Sequence, residues 1–157
     1  MTNATVPVSS ARAIPYSEYR MEVPFLDHLK VLVEPRESGG GIMIVKLERE
    51  HMNGQMQAHG GLIMTLLDMA MASAARNQDA QNRPSVTVEM KCNFMRPGGA
   101  IDGGLRASGR LCHGTRSLAF CDGELHDKNG QLIATASGTF KYINKPLDVD
   151  VKPLPKA

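Results

Sequence analysis

Residues 58–75 read AHGGLIMTLLDMAMASAA, and this stretch decides the fold. Leu62, Ile63, Met64, Leu66, Leu67, Met69 and Met71 put apolar side chains nearly all round a helix of about residues 60–76. A helix of that kind sits in a core or is wrapped by a sheet. The stretch is at the lower limit for spanning a bilayer, which takes about 20 apolar residues. It also carries Gly60, Gly61 and Asp68, so it reads as a buried helix, with no membrane partner expected.

Working outward, the chain on both sides reads as strands. After a polar loop from Asn77 to Pro84, residues 85–95 read SVTVEMKCNFM. Val86, Val88, Met90, Cys92 and Phe94 fall on one face of a strand, and Thr87, Glu89, Lys91 and Asn93 on the other. Arg96-Pro97-Gly98-Gly99 ends it. Alternation recurs at Leu105, Ala107, Gly109 and Leu111, at Ala119, Cys121, Gly123 and Leu125, and at Leu132, Ala134, Ala136, Gly138 and Phe140. His113-Gly114-Thr115 and Asp127-Lys128-Asn129-Gly130 supply the turns between them. On the N-terminal side, residues 24–30 suit one helical turn and residues 30–35 a short strand. Residues 37–41 suit a turn, and Met43, Val45 and Leu47 mark another strand.

One long helix followed by four strands with short turns implies an antiparallel meander. The simplest burial of the helix is inside that sheet, an α+β domain over residues 21–143. Residues 1–20 are polar with Pro7 and Pro15 and read as a flexible arm, and residues 144–157 as a Pro-rich extended tail.

Composition narrows the function. The 157 residues amount to about one domain, and 42% are apolar, so a real core is expected. A net charge of +2, no Trp and only seven Tyr and Phe argue against a nucleic-acid partner. Cys92, Cys112 and Cys121 are odd in number and form no C-x-x-C. With no apolar leader at the N-terminus, they fit a reducing, cytoplasmic setting. His51 and His59 lack a third ligand in any metal pattern, so neither a metal nor a cofactor is expected.

Chemistry concentrates at the start of the helix. Gly60-Gly61 open it, and the first N–H groups of a helix have no internal partner and carry partial positive charge. Without side chains there, a carbonyl oxygen can approach them, which is the geometry of an oxyanion hole. A tight turn into the helix is the plainer account of the same glycines. Asp68 sharpens the case: it is the only acid between Glu50 and Asp79 and lies among apolar neighbours. Gly61, Thr65 and Asp68 share a face. Asp68 is seven residues beyond Gly61, about 10 Å along a helix. A reacting carbonyl needs donors and carboxylate each within about 3 Å, so one helix cannot supply both. A two-fold pair of antiparallel helices can, with each helix start facing the partner's Asp68. Arg96, Arg110 and Arg116, near strand ends or turns, suit phosphate groups, with solvated surface as the plainer account.

The pattern His51-x-Asn53-x5-His59-Gly60-Gly61-x6-Asp68 resembles the signature of hotdog-fold acyl-CoA thioesterases, nearest to the phenylacetate-degradation type. Val86-Thr87-Val88-Glu89-Met90 and Phe94-Met95-Arg96-Pro97 resemble the strand after the helix in that family. The resemblance runs from about Pro24 to Lys141. It implies a helix wrapped by an antiparallel sheet, two subunits joined in a continuous sheet, and often a dimer of dimers. It implies an acyl-CoA substrate, aryl or fatty. Asn53 would position thioester or water, and the Gly60 amide, with or without that of Gly61, would polarise the carbonyl. Asp68 from the other subunit would act as base or nucleophile, and the Thr87 hydroxyl would assist. His59 is expected to brace the loop, and Thr65, Arg96 and Arg116 are counted with it as substrate contacts. Two other readings remain on the same fold: a non-catalytic acyl-CoA sensor, which would not need Asp68, and a hydratase, which would need an Asp–His pair that is lacking.

Overall fold

A computed structural model of the chain describes residues 12–36 and 40–144. The expected tail and most of the 37–41 turn lie outside these residues. The elements run β1 (Ile14–Pro15), α1 (Tyr16–Tyr19), α2 (Pro24–His28), β2 (Leu32–Pro35), β3 (Gly41–Lys46), a 3-10 turn (Arg49–His51), α3 (Gly60–Asn77), β4 (Ser85–Phe94), β5 (Gly104–Gly114), β6 (Leu118–Asp127) and β7 (Leu132–Tyr142). All strands belong to one antiparallel sheet in the order β1-β2-β3-β5-β6-β7-β4.

The expected meander holds for three of its four strands. β5, β6 and β7 are consecutive neighbours, but β4 pairs with β7 and β3 with β5. Residues 95–103 carry the chain from β4 to β5 across the sheet, too long a connection to force a hairpin. β4 is therefore an edge strand, and its apolar residues are open: Val86 is 47% exposed and Val88 59%.

α3 packs on one face of this sheet. Leu62, Ile63, Leu66, Leu67, Ala70, Met71 and Ala75 are buried against Met43, Val45, Leu105, Ala107, Leu125 and Phe140. The backbones approach closely because the sheet is small-residued beneath the helix. A Cβ on Gly109 would stand 2.2 Å from the Ala70 carbonyl oxygen, so only glycine fits there. The sheet does not enclose α3: Met64 is 39% exposed, and Thr65, Asp68, Met69 and Ala72 are half-buried along an open side.

Two expectations change. Residues 14–20 do not belong to a loose arm. Ile14-Pro15 pair with Leu32-Val33, and Tyr16, Tyr19 and Arg20 are buried, because the two rings pack into the main core. The faces of β4 are also not uniform. Its register shifts between Thr87 and Glu89, leaving Val88 as a bulge. Thr87 pairs with Phe140, and Met90, Cys92 and Phe94 pair with Gly138, Ala136 and Ala134. Directly paired residues share a face. Thr87 thus lies on the helix side with Met90, Cys92 and Phe94, where strict alternation put it opposite them.

Candidate active site

The loop before α3 is built by its own polar groups. His51, 1% exposed, is bonded at both ring nitrogens: Nδ1 accepts from the Glu48 amide at 2.9 Å, and Nε2 lies 3.0 Å from the Leu29 carbonyl oxygen. The Asn53 Oδ1 accepts from the amides of Gln55 at 2.9 Å and Gln57 at 3.2 Å. That local turn closes the bridge between Met52 and Ala58 and delivers the chain to the helix start. Asn53 therefore spends its oxygen on the loop, and its NH2 group is the part left for a ligand.

At the helix start the two glycines differ. The Gly61 amide donates to Nδ1 of His59 at 2.9 Å, the N-cap bond of α3. The Gly60 amide has no hydrogen-bond partner among the described residues. The ring of Phe94 lies beside it, 3.5 Å from where a Gly60 Cβ would stand. Of the two expected oxyanion donors, Gly60 is available and Gly61 is engaged. His59 thus caps the helix, and Thr65 donates its hydroxyl to the Gly61 carbonyl at 2.9 Å. A cavity of about 330 Å³ opens here, lined by His59, Gly61, Leu62 and Thr65 together with Phe25 and Leu29.

Asp68 lies two turns further along α3. The Thr87 hydroxyl donates to its Oδ1 at 2.8 Å, the contact that the β4 bulge makes possible. Burial holds the Asp68 carboxyl above the usual aspartate range, and the Thr87 hydrogen bond offsets part of that. No cation pairs with it among the described residues. A carboxylate kept short of solvent and of counter-charge is a stronger base than a free one. Asp68 and Thr87 line one end of a second cavity of about 230 Å³.

The Gly60 amide and the Asp68 carboxylate of one chain therefore stand apart. Asp68 is eight residues beyond Gly60, about 12 Å along the helix axis. Arg96 and Arg116 join neither. Arg96 donates to the Leu132 carbonyl at 2.7 Å and braces a strand end, and Arg116 is exposed in the β5–β6 turn. Phe94 was read as a strand residue and not as part of a site, and the residues beyond Asp68 in its cavity (Tyr16, Tyr19, Arg20 and Arg76 among them) were not singled out in the sequence. Arg76 had a signal, as the first basic residue of an otherwise apolar helix. Arg20 had none. Among the described residues no three His, Cys, Asp or Glu side chains converge as metal ligands, and no helix is long and apolar enough to cross a membrane.

The thioesterase superfamily model matches residues 57–134, the span from the loop before α3 into β7. Over 99 residues the chain is 29% identical to a provisionally assigned esterase of Pseudomonas aeruginosa, covering 63% of this chain and 72% of that one. A Bacillus halodurans protein solved with CoA superposes with a TM-score of 0.73 at 23% identity, over 83% of this chain and 85% of that one. The PaaI protein of the E. coli phenylacetic acid degradation operon superposes with a TM-score of 0.70 at 21% identity, over 78% and 86%. With the long helix, the sheet order and this match in hand, the chain belongs to the thioesterase superfamily and has its hotdog fold.

Proposed function

We propose that this protein hydrolyses acyl-CoA, aryl or fatty, to the free acid and CoA at sites shared between paired subunits. One observation carries the reading. Among the described residues, α3 offers an unbonded amide at Gly60 and, about 12 Å along, a half-buried carboxylate held only by Thr87. Antiparallel pairing of two such helices brings each amide to the other subunit's acid.

The thioester oxygen accepts from the Gly60 N–H, where the helix dipole favours the charge that develops on it. Asp68 of the partner subunit takes a proton from water as the oxygen of that water bonds to the carbonyl carbon. The C–S bond then breaks, and CoA leaves as thiolate. Direct attack by the carboxylate, followed by hydrolysis of the anhydride, uses the same groups. Thr87 fixes the carboxylate oxygen that faces it, and the Asn53 NH2 group orients water or thioester. Superfamily membership supports thioester hydrolysis, and the Bacillus halodurans neighbour solved with CoA supports CoA as the leaving group. Assembly as a dimer or dimer of dimers is part of the proposal, and the open side of α3 and the apolar β4 edge support it.

The test is release of CoA thiol from phenylacetyl-, hexanoyl- and palmitoyl-CoA. Asp68→Asn lowers kcat by about 10²- to 10⁴-fold, the usual worth of a general base, while circular dichroism stays native. Turnover unchanged in that variant ends the assignment of Asp68. Binding of acyl-CoA without turnover in the native protein leaves the sensor reading.

A further inference from the structure

The cavity that begins at Asp68 and Thr87 is also lined by residues with buried hydrogen-bond donors, two of which find no acceptor among the described residues. Arg20, 3% exposed, lines it. Its Nη2 donates to Asn82 Oδ1 at 2.8 Å, but its Nε is buried with no hydrogen-bond partner. The Arg76 Nε donates to the same Asn82 oxygen at 3.2 Å and to the Asn82 carbonyl at 3.3 Å. Neither arginine forms an ion pair with a carboxylate among the described residues. Asn77, also in the lining, has a buried Nδ2 without a partner.

Tyr16 and Tyr19 also line the cavity. Burial holds both above the usual tyrosine range, so they keep their protons and can donate. Arg20 and Arg76 are both drawn below the usual arginine range, first by burial, and Arg76 further by the charge of Arg20. Two guanidiniums therefore converge on one carboxamide oxygen, and two phenols and an amide NH2 line the same cavity. Buried polar groups are almost always bonded, and a buried charge without a counter-charge is strongly unfavourable. A bound anion removes both deficits, and guanidinium matches carboxylate best. Met21, Val23, Met69 and Ala72 add apolar surface to the lining, beside the hydroxyls of Ser73 and Ser85.

We propose that the acyl group taken here ends in a carboxylate: the substrate is the monothioester of a short dicarboxylic acid, its distal carboxylate held by Arg20 and Arg76. This rests on Asp68 marking the reacting carbon. The separation from Asp68 to Arg76 is eight residues, about 12 Å along α3. A cavity of about 230 Å³ has room for a short chain.

Adipyl-CoA and hexanoyl-CoA share chain length and leaving group and differ in the terminal carboxylate. The native protein favours adipyl-CoA in kcat/KM by at least about tenfold, the worth of a hydrogen bond to a charged group. Arg76→Met, half-exposed and so the safer variant, brings the ratio toward one. Arg20→Met does the same, and Arg20→Lys restores part of it. Hexanoyl-CoA or phenylacetyl-CoA preferred by the native protein overturns the proposal. So does an equal loss on adipyl- and hexanoyl-CoA in Arg76→Met, which assigns the arginines to CoA phosphates instead.

Calorimetry of free adipate against free hexanoate, on native protein and Arg76→Met, reads the cavity without turnover. If no thioester is hydrolysed but adipate binds more tightly and Arg76→Met removes the difference, the hydrolase reading fails and the anion site stands. Equal binding of the two acids removes the anion site.

Discussion

Asp68 carries two opposed consequences of its place on α3. Its carboxyl is raised by burial and only partly lowered by Thr87. A base must be ionised to work, so kcat/KM falls on the acid side through an inflection above the ~3.9 of free aspartate. Thr87→Val removes the hydrogen bond that lowers it, so the inflection moves to still higher pH. A pH–rate profile of both proteins checks this. Stability runs the other way. A raised folded-state value favours the native state most below the unfolded value, and that contribution is lost as pH rises through the folded value. Asp68→Asn should therefore melt at a higher temperature than the native protein at neutral pH, with the gain gone near pH 4. Melting curves at the two pH values decide it. Asp68 was legible in the sequence because an acid in an apolar helix has few innocent explanations. The division of labour between Gly60 and Gly61 was not. It depends on where the His59 ring turns, and both amides look alike on the page.

Among the elements, β4 and the sheet beneath α3 show where pattern reading holds and where it stops. Alternation found every long strand, and the continuous apolar run found the helix. Strand order was not legible, because neighbours follow from turn length only when turns are short. Residues 95–103 leave the partner of β4 open. The face of Thr87 was misread for a related reason: an inserted bulge residue shifts parity without leaving a mark in polarity. Gly109 seemed one of several small residues, yet it is the point at which strand and helix backbones meet. Gly109→Ala forces a Cβ to 2.2 Å from the Ala70 carbonyl oxygen, which the backbone must move to relieve. The expected cost is about 1–3 kcal/mol, the usual penalty for overpacking, read from urea unfolding.

At the scale of the whole molecule, the proposed site makes activity a property of pairs. Gly60 is the first residue of α3, where proline is tolerated, and His59 already has the extended backbone, φ −64° and ψ 137°, that precedes proline. Gly60→Pro thus removes the unbonded N–H with little disturbance to the helix. It and Asp68→Asn are each expected to be inactive alone. Unfolded and refolded together in equal amounts, they yield about half mixed dimers, each with one complete site, and about a quarter of native activity. Mixtures that stay inactive, or a native protein that sediments as a monomer at assay concentration, contradict a shared site. The sequence pointed to pairing through the helix spacing and through the family resemblance. The arginine end of the cavity lay beyond reach, because Arg20 arrives from a segment whose composition resembles a tail.

That segment is held to the sheet by two paired residues, Ile14 with Val33 and Pro15 with Leu32, one of them a proline that can donate no ladder bond. It forms one wall of the Asp68 cavity through Tyr16 and Tyr19. Local opening of so lightly tethered a wall costs far less than global unfolding. Amides of residues 16–20 should therefore exchange with deuterium well before those of β5, β6 and β7, and slow when an acyl group fills the cavity. The breadth of acyl groups the protein accepts is then governed by the ease of that opening, and tightening the tether narrows it.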